Sequence, residues 1–420
     1  MRKLCAHRDA RLYLSGQMLS SIGDNSLWLA MGIWVKILTG SNSAAGLVFF
    51  AYCCGTLLSP VCGMVADRLP RKPLLGAANL AGAGLVCLLL LVHSRGGIWL
   101  IYLVMFGYGA AGSLISSAQT ALLPAIVPGD LLGDANAMLQ IGSQGSRLFT
   151  PLIGAGLLAW IGAQPVVALD AGTFAVAAAA TFALRVRERP APAAGHWKSE
   201  FTAGMRYIRQ TVALRRLLVT FVITLTVFGF IETIGYAIVG QGLHRTPPFL
   251  GVLIAVMAAG ALAGAAVASP VMARTSERTV IAIGLLAIAA GCLLLAVNQL
   301  AVVVAACVLV GLSLVWINVG AMTLMQRRTP SRLLGRVDAA LNFGATVPQA
   351  LSIALGAALI AVVNYHLLLV VMAVVIGASV VYLISEPDQV TALTQAPVQT
   401  ADEAPASDGE PVAQRGATRV

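Results

Sequence analysis

The sequence predicts an all-α integral membrane protein of twelve transmembrane helices, arranged as two six-helix halves related by a pseudo-repeat. Three observations carry that prediction: apolar runs of bilayer length, basic residues confined to alternate loops, and a fifteen-residue pattern that occurs twice.

Of 420 residues, 58% are hydrophobic and only 10% charged, with a mean hydropathy of +0.86. Soluble domains carry about 25% charged residues, so a soluble fold is excluded. Runs of about 20 apolar residues place spans at 12–38, 43–66, 73–92, 97–122, 136–161, 165–185, 214–240, 248–272, 278–297, 299–325, 336–362 and 364–385. The division that follows is an N-terminal half over 1–185, a linker over 186–213, a C-terminal half over 214–385 and a tail over 386–420.

The net charge of +10 sits on one side. One set of loops holds Arg2, Lys3, Arg8 and Arg11, then Arg68, Arg71 and Lys72, then the stretch Arg185 to Arg216, then Arg274 and Arg278, then Arg327, Arg328, Arg332 and Arg336; the other set has Lys36, Arg95 and Arg245. By the positive-inside rule, both termini and the middle loop are cytoplasmic in a cell-membrane protein. The basic excess is thus a topology signal, and no nucleic-acid partner is expected. No cleavable signal peptide is evident, and the first helix serves as its own insertion signal.

The linker runs EFTAGMRYIRQTVALRRLL, with Phe201, Met205, Ile208 and Val212 at helical spacing among bases; this reads as an amphipathic helix on the inner leaflet. The tail after Glu386 is rich in Ala, Pro, Gln, Thr and acids, a composition of disordered chain. Six of the seven cysteines lie in apolar helices without metal or disulfide spacing and read as small packing residues.

The repeat pairs PGDLLGDANAMLQIG at Pro128–Gly142 with PSRLLGRVDAALNFG at Pro330–Gly344, each after the fourth span of its half. A weaker echo pairs GMVADR at Gly63 with SPVMAR at Ser269, where Ala273 replaces the acid. The loop Gly63–Lys72, GMVADRLPRK, follows G-x-x-x-D-R-x-x-R-K and resembles the loop between helices two and three of the major facilitator superfamily of secondary transporters. SSIGDNSLWLA, LLPAIVPGDLLGDANAMLQ, ALDAGTFAVAA and EFTAGMRYIRQ are similar to twelve-helix exporters of the enterobactin-exporter and macrolide-efflux group. The resemblance covers about residues 10 to 385. It implies alternating access between two halves with the substrate site near the midplane. It also implies a latch in which Gly63, Asp67, Arg68, Arg71 and Lys72 act with Arg336 when the cytoplasmic side closes. Two departures stand out: Leu103 and Phe106 replace the Arg and Gln of the drug exporters' fourth-helix motif, and the fifth-helix signature is degenerate as TPLIGA, keeping Pro151 and Gly154.

Charges inside spans are the pointers to mechanism, because each costs about 2.5 to 3.5 kcal/mol at a helix centre and so faces a partner or an aqueous cavity. Asp24 shares a face with Gln17, Ser20 and Trp28; Arg147 with Gln140, Gln144 and Pro151; Glu232 with Phe228, Gly229 and Tyr236. Spans one and seven are equivalent, so Asp24 and Glu232 approach the centre from opposite halves. A carboxyl group that alternates between water and a low-dielectric cavity takes up and releases a proton. The other reading of these charges is a structural pair, such as Asp24 with Arg147. Asp170 and Asp338 lie toward span ends and are expected to be structural, satisfied by solvent or headgroups.

GYGAAG at Gly107–Gly112 formally matches a dinucleotide fingerprint but lacks a preceding strand; its glycines, like Gly260 and Gly264, are expected to let helices approach closely. Walker, HExxH and GxSxG patterns are not found, so no enzyme activity, metal or cofactor is expected and a proton gradient is the energy source. The expectation is a monomeric, proton-coupled exporter of small amphiphilic organic molecules such as a drug, antibiotic or other secondary metabolite. A siderophore exporter, an importer on the same fold, and a non-transporting sensor or scaffold are the alternatives.

Overall fold

The computed structural model describes residues 7–127, 131–186, 197–330 and 333–385; within them the side chains of Asp67, Gln140, Gln144, Arg147, Phe201, Arg336, Asp338 and Asn342, among others, lie outside the described residues. The tail over 386–420 is also outside them. Fourteen α-helices are present among the described residues, with no strand.

The N-terminal half contains α1 (Arg8–Thr39), α2 (Asn42–Thr56), α3 (Ser59–Arg68), α4 (Arg71–Cys87), α5 (Ile98–Ile126), α6 (Leu132–Trp160) and α7 (Ala163–Phe182). After the linker helix α8 (Trp197–Gln210), the C-terminal half contains α9 (Val212–Ala237), α10 (Phe249–Arg274), α11 (Glu277–Leu295), α12 (Leu300–Arg328), α13 (Leu334–Leu359) and α14 (Tyr365–Ile384). The second predicted span is broken between α2 and α3 at Leu57 and Leu58, just before Pro60, which sits in the first turn of α3 where its missing N–H costs nothing. Counting α2 and α3 as one span, the helices other than α8 occupy all twelve predicted segments. Nine stretches among the described residues are long and apolar enough to cross a membrane. The remaining three helices, α1, α6 and α13, carry the polar residues Gln17, Asp24, Arg147 and Gln349.

Local signals set the helix ends. Gly40 takes φ 74° after α1 and its N–H caps the Lys36 carbonyl, a left-handed closure that favours glycine. Ser41 caps α2 by accepting from the Ala44 N–H at 3.3 Å, and Ser276 caps α11 by accepting from the Thr279 N–H at 3.2 Å.

Helices associate through small residues, since lipid provides little hydrophobic drive for helix pairing. On α10, a Cβ at Gly260 or Gly264 would collide with the α12 backbone at Val308 or Leu312, and on α5 one at Gly109 would collide with the Tyr52 carbonyl of α2. The spans' outward faces are apolar and exposed, as at Val374 and Val381 of α14, the surface a bilayer requires.

Within the N-terminal half, α1 packs on α6 and α7, and α2 on α5; within the C-terminal half, α9 packs on α13, and α12 on α10 and α11. The halves meet through α2 with α13 and α9, and α6 with α10. Tight cross-half approaches are Gly32 against the Tyr236 hydroxyl, Gly46 against Thr233, and Gly251 against Ala155. All lie toward the end opposite the basic loops.

The linker helix differs from expectation. Ile208 is fully buried, α8 packs on α13 and α9, and the Tyr207 hydroxyl donates to the Arg328 carbonyl at 2.9 Å. Met205 and Ile208 of its apolar face dock on protein, and Val212, counted on that face, instead starts α9 and is exposed.

Candidate functional site

A cavity of about 600 Å³ lies between the halves. Its α1 wall is Gln17, Ser20, Asp24 and Trp28, the face that a 3.6-residue period predicts. Tyr52, Tyr108 and Gln119 add α2 and α5, Phe174 adds α7, and Ile254, Met257 and Gln349 bring in the C-terminal half. From the cross-half seam the cavity reaches Gln17 and Gln119, which lie toward the Arg8 end of α1 and the Ile126 end of α5, on the side of the basic loops.

Asp24 is held by a phenol. The Tyr108 hydroxyl donates to Asp24 Oδ1 at 2.6 Å, and the Tyr108 phenolic oxygen lies 3.4 Å from Asp170 Oδ1. Asp170 is 0% exposed. This corrects the expectation that solvent or headgroups satisfy it. The cause is local: a Cβ at Gly23 would lie 2.6 Å from Asp170 Oδ1, and Gly16 faces Ala180, so the glycines of α1 admit α7 against its polar face. The α1–α6 seam is also polar, with Asn25 Nδ2 donating to Ser146 Oγ at 3.1 Å and Ser26 Oγ to the Thr150 carbonyl at 3.1 Å.

Glu232 occupies different ground. It lines a second cavity of about 150 Å³ with Trp28, Phe228, Ile254, Met257 and Cys307. Trp28, Ile254 and Met257 border both cavities, so the two carboxyl groups flank one shared apolar wall. Trp28 packs on Phe49 with ring centroids 4.8 Å apart, which fixes that wall.

Gln17, Asp24 and Trp28 are thus brought together in the larger cavity, and Phe228 and Glu232 in the smaller one. Tyr236 is not on either wall: it is 2% exposed, packed on Gly32 and stacked with Phe49 at 6.4 Å. The reason is helical phase, one turn beyond Glu232 on the cross-half seam. The Gln144 and Arg147 side chains lie outside the described residues, as do those of Asp67 and Arg336 in the latch. Of the other latch positions, Gly63 has open space around its Cβ direction, Arg68 is exposed, and Lys72 Nζ donates to the Leu184 carbonyl at 2.6 Å, tying α4 to the end of α7. Arg71 also has an interaction partner. The sequence reasoning missed Tyr108, concealed in the glycine run Gly107–Gly112, and undervalued Asp170, whose presence inside an apolar span was itself the signal.

Two pseudo-equivalent helical bundles of membrane-spanning length around a polar central chamber define a multi-pass membrane protein. The chain belongs to the Major Facilitator Superfamily, whose family model matches residues 13–237 and again 216–407. It is similar to the uncharacterized MFS-type transporter YfiS of Bacillus subtilis, at 27% identity over 60% of this chain and 62% of the relative. It is also similar to macrolide efflux protein A of Streptococcus pyogenes, at 25% identity over 60% of this chain and 63% of the relative. The chain spans less than two thirds of the length of these curated relatives. Among solved structures it shares the fold of a bacterial homologue of the iron transporter ferroportin in an inward-facing state, with TM-score 0.70 and 14% identity over 90% of this chain and 98% of that one. It likewise shares the fold of the POT family transporter PepTSo, with TM-score 0.71 and 10% identity over 90% and 97%.

Proposed function

We propose that this chain exports small amphiphilic organic molecules from the cell in exchange for protons, by alternating access. The observation that carries the reading is the pair of adjacent cavities, one polar around Asp24 and one apolar around Glu232, sharing Trp28, Ile254 and Met257 as lining residues. Such a site offers an apolar body a dry wall and a polar or cationic group a carboxylate, the usual division of a small-molecule pocket. The positive-inside rule sets the basic end, toward which the cavity extends, in the cytoplasm, so cargo enters from the side an exporter empties. Similarity to a macrolide efflux protein supports an amphiphilic cargo.

In this mechanism Asp24 is the coupling acid. Its carboxylate faces the cavity under the Tyr108 hydroxyl and releases its proton when cargo loads from the cytoplasmic side. Glu232 and the aromatic wall hold the cargo. Asp67 of the loop Gly63–Lys72 closes the cytoplasmic side against the start of α13, near Arg336.

One proton moving through 100 mV supplies about 2.3 kcal/mol, and a tenfold gradient costs about 1.4 kcal/mol, so exchange of a neutral cargo for one proton sustains more than a tenfold gradient. For a monovalent cation the voltage contribution cancels and only the pH difference drives export. The test is accumulation of a macrolide and of tetraphenylphosphonium in inside-out vesicles, with and without a proton gradient. Gradient-driven accumulation that Asp24→Asn abolishes is the expected result. Equal accumulation by wild type, Asp24→Asn and Glu232→Gln would contradict the coupling sites.

A further inference from the structure

We propose that Asp24, Tyr108 and Asp170 form one proton relay, in which Asp170, sealed behind the phenol, holds a proton that Asp24 exchanges with the cavity. The inference rests on the proton-exchange reading above and adds a second acid to it.

Counting hydrogens leads there. A phenol carries one hydrogen, and Tyr108 directs it to Asp24 at 2.6 Å. The contact from the same phenolic oxygen to Asp170 Oδ1 at 3.4 Å is then a bond only if Asp170 supplies the hydrogen. A bare carboxylate there would face the Tyr108 lone pairs with Oδ2 buried and unpartnered among the described residues. It would also stand close to a second carboxylate across one hydroxyl, an arrangement in which two buried acids share a proton instead of both ionising.

The surroundings offer Asp170 no compensating cation among the described side chains. Facing it are Asp24 from α1 and Tyr108 from α5, with the Tyr52 ring of α2 tilted against Tyr108 at 6.2 Å between ring centroids. From α4, Gly82 and Gly76 pack on Phe174 and Phe182, while the cations of that helix, Arg71 and Lys72, stand at its far end, Lys72 bound to the Leu184 carbonyl. From α6, the side chains of Asp134 and Arg147 lie outside the described residues. Within α7, Thr173 Oγ1 donates to the Asp170 backbone carbonyl at 2.8 Å and leaves the carboxyl group alone.

The relay balances. When Tyr108 gives its hydrogen to the Asp24 carboxylate, the phenolic oxygen takes the hydrogen of Asp170. One O–H bond forms on the phenol as one breaks, the negative charge passes from Asp24 to Asp170, and no proton is gained or lost until Asp24 exchanges with cavity water. Asp24 is the gate of the pair and Asp170 its reserve.

Infrared difference spectroscopy of the full chain in nanodiscs, titrated without cargo, tests this independently of transport. Wild type should show a protonated-carboxyl stretch at neutral pH that Asp170→Asn removes. If Asp170→Asn does not fold, Tyr108→Phe, which keeps the ring, should shift that band and move the titration of the cavity acid by about one pH unit. A neutral-pH carboxyl band unchanged in Asp170→Asn, or a titration unchanged in Tyr108→Phe, overturns the relay. Vesicle transport separates the two levels: an unaltered spectrum with gradient-driven export intact sinks Asp170 alone, whereas a confirmed relay with no gradient-driven export sinks the exporter reading.

Discussion

Spans one and seven are equivalents under the repeat, and each carries one acid near its middle, yet the two acids live differently. Asp24 is bonded to a phenol and joined through it to Asp170, in a cavity with Gln17, Ser20 and Gln119 on its walls. Glu232 stands among Phe228, Ile231, Leu253 and Met257 in a smaller apolar pocket. A hydrogen-bonded acid beside a polar chamber is suited to passing a proton, because it has somewhere to send it. An acid with apolar neighbours is suited to rewarding a cation that arrives with its own apolar body, because that cation replaces lost water. A duplicated fold thus places similar residues in similar positions, and the neighbours decide what each does.

The largest effect that can break this comparison comes from Asp24→Asn: accumulation driven by a proton gradient should fall to the level of vesicles without the protein. Next, Glu232→Gln should weaken apparent affinity for tetraphenylphosphonium by about tenfold, or ~1.4 kcal/mol, while a neutral amphiphile is little changed. Equal loss for both cargoes would place Glu232 in coupling instead of in binding. Asp67→Asn should then lower turnover by about threefold, on the scale of an acid's interaction with a helix N-terminus, and Arg274→Gln by less; the reverse order in the same vesicle assay would leave the loop only a topological role. Last, Gly109→Val should cost about 1 to 3 kcal/mol through collision with the Tyr52 carbonyl, read as a lower unfolding temperature in detergent.

Much of the fold was legible because a bilayer forces simple rules on sequence. Apolar length gave the spans, and the Pro128 and Pro330 patterns gave the duplication. Gln17, Ser20, Asp24 and Trp28 shared a face on paper because one period governs one helix. Contacts between helices were not legible in that way. Nothing in the local pattern around Asp170 says that Gly23 of α1 opens the space beside it, or that Tyr108 lies between it and Asp24. The same limit explains Tyr236, whose spacing from Glu232 suggested a common wall but whose hydroxyl meets Gly32 across the seam. It also explains α8, whose amphipathic pattern fits a leaflet and a protein groove equally well.

The central claim is that the coupling proton belongs to the Asp24 side and the cargo to the Glu232 side. Its most direct test is proton release on cargo binding, measured with a pH indicator in a weakly buffered solution of the purified chain as tetraphenylphosphonium is added. Wild type should release protons as the cation binds, Glu232→Gln should need more cation for the same release, and Asp24→Asn should bind the cation without releasing any. Undiminished release from Asp24→Asn would contradict the account.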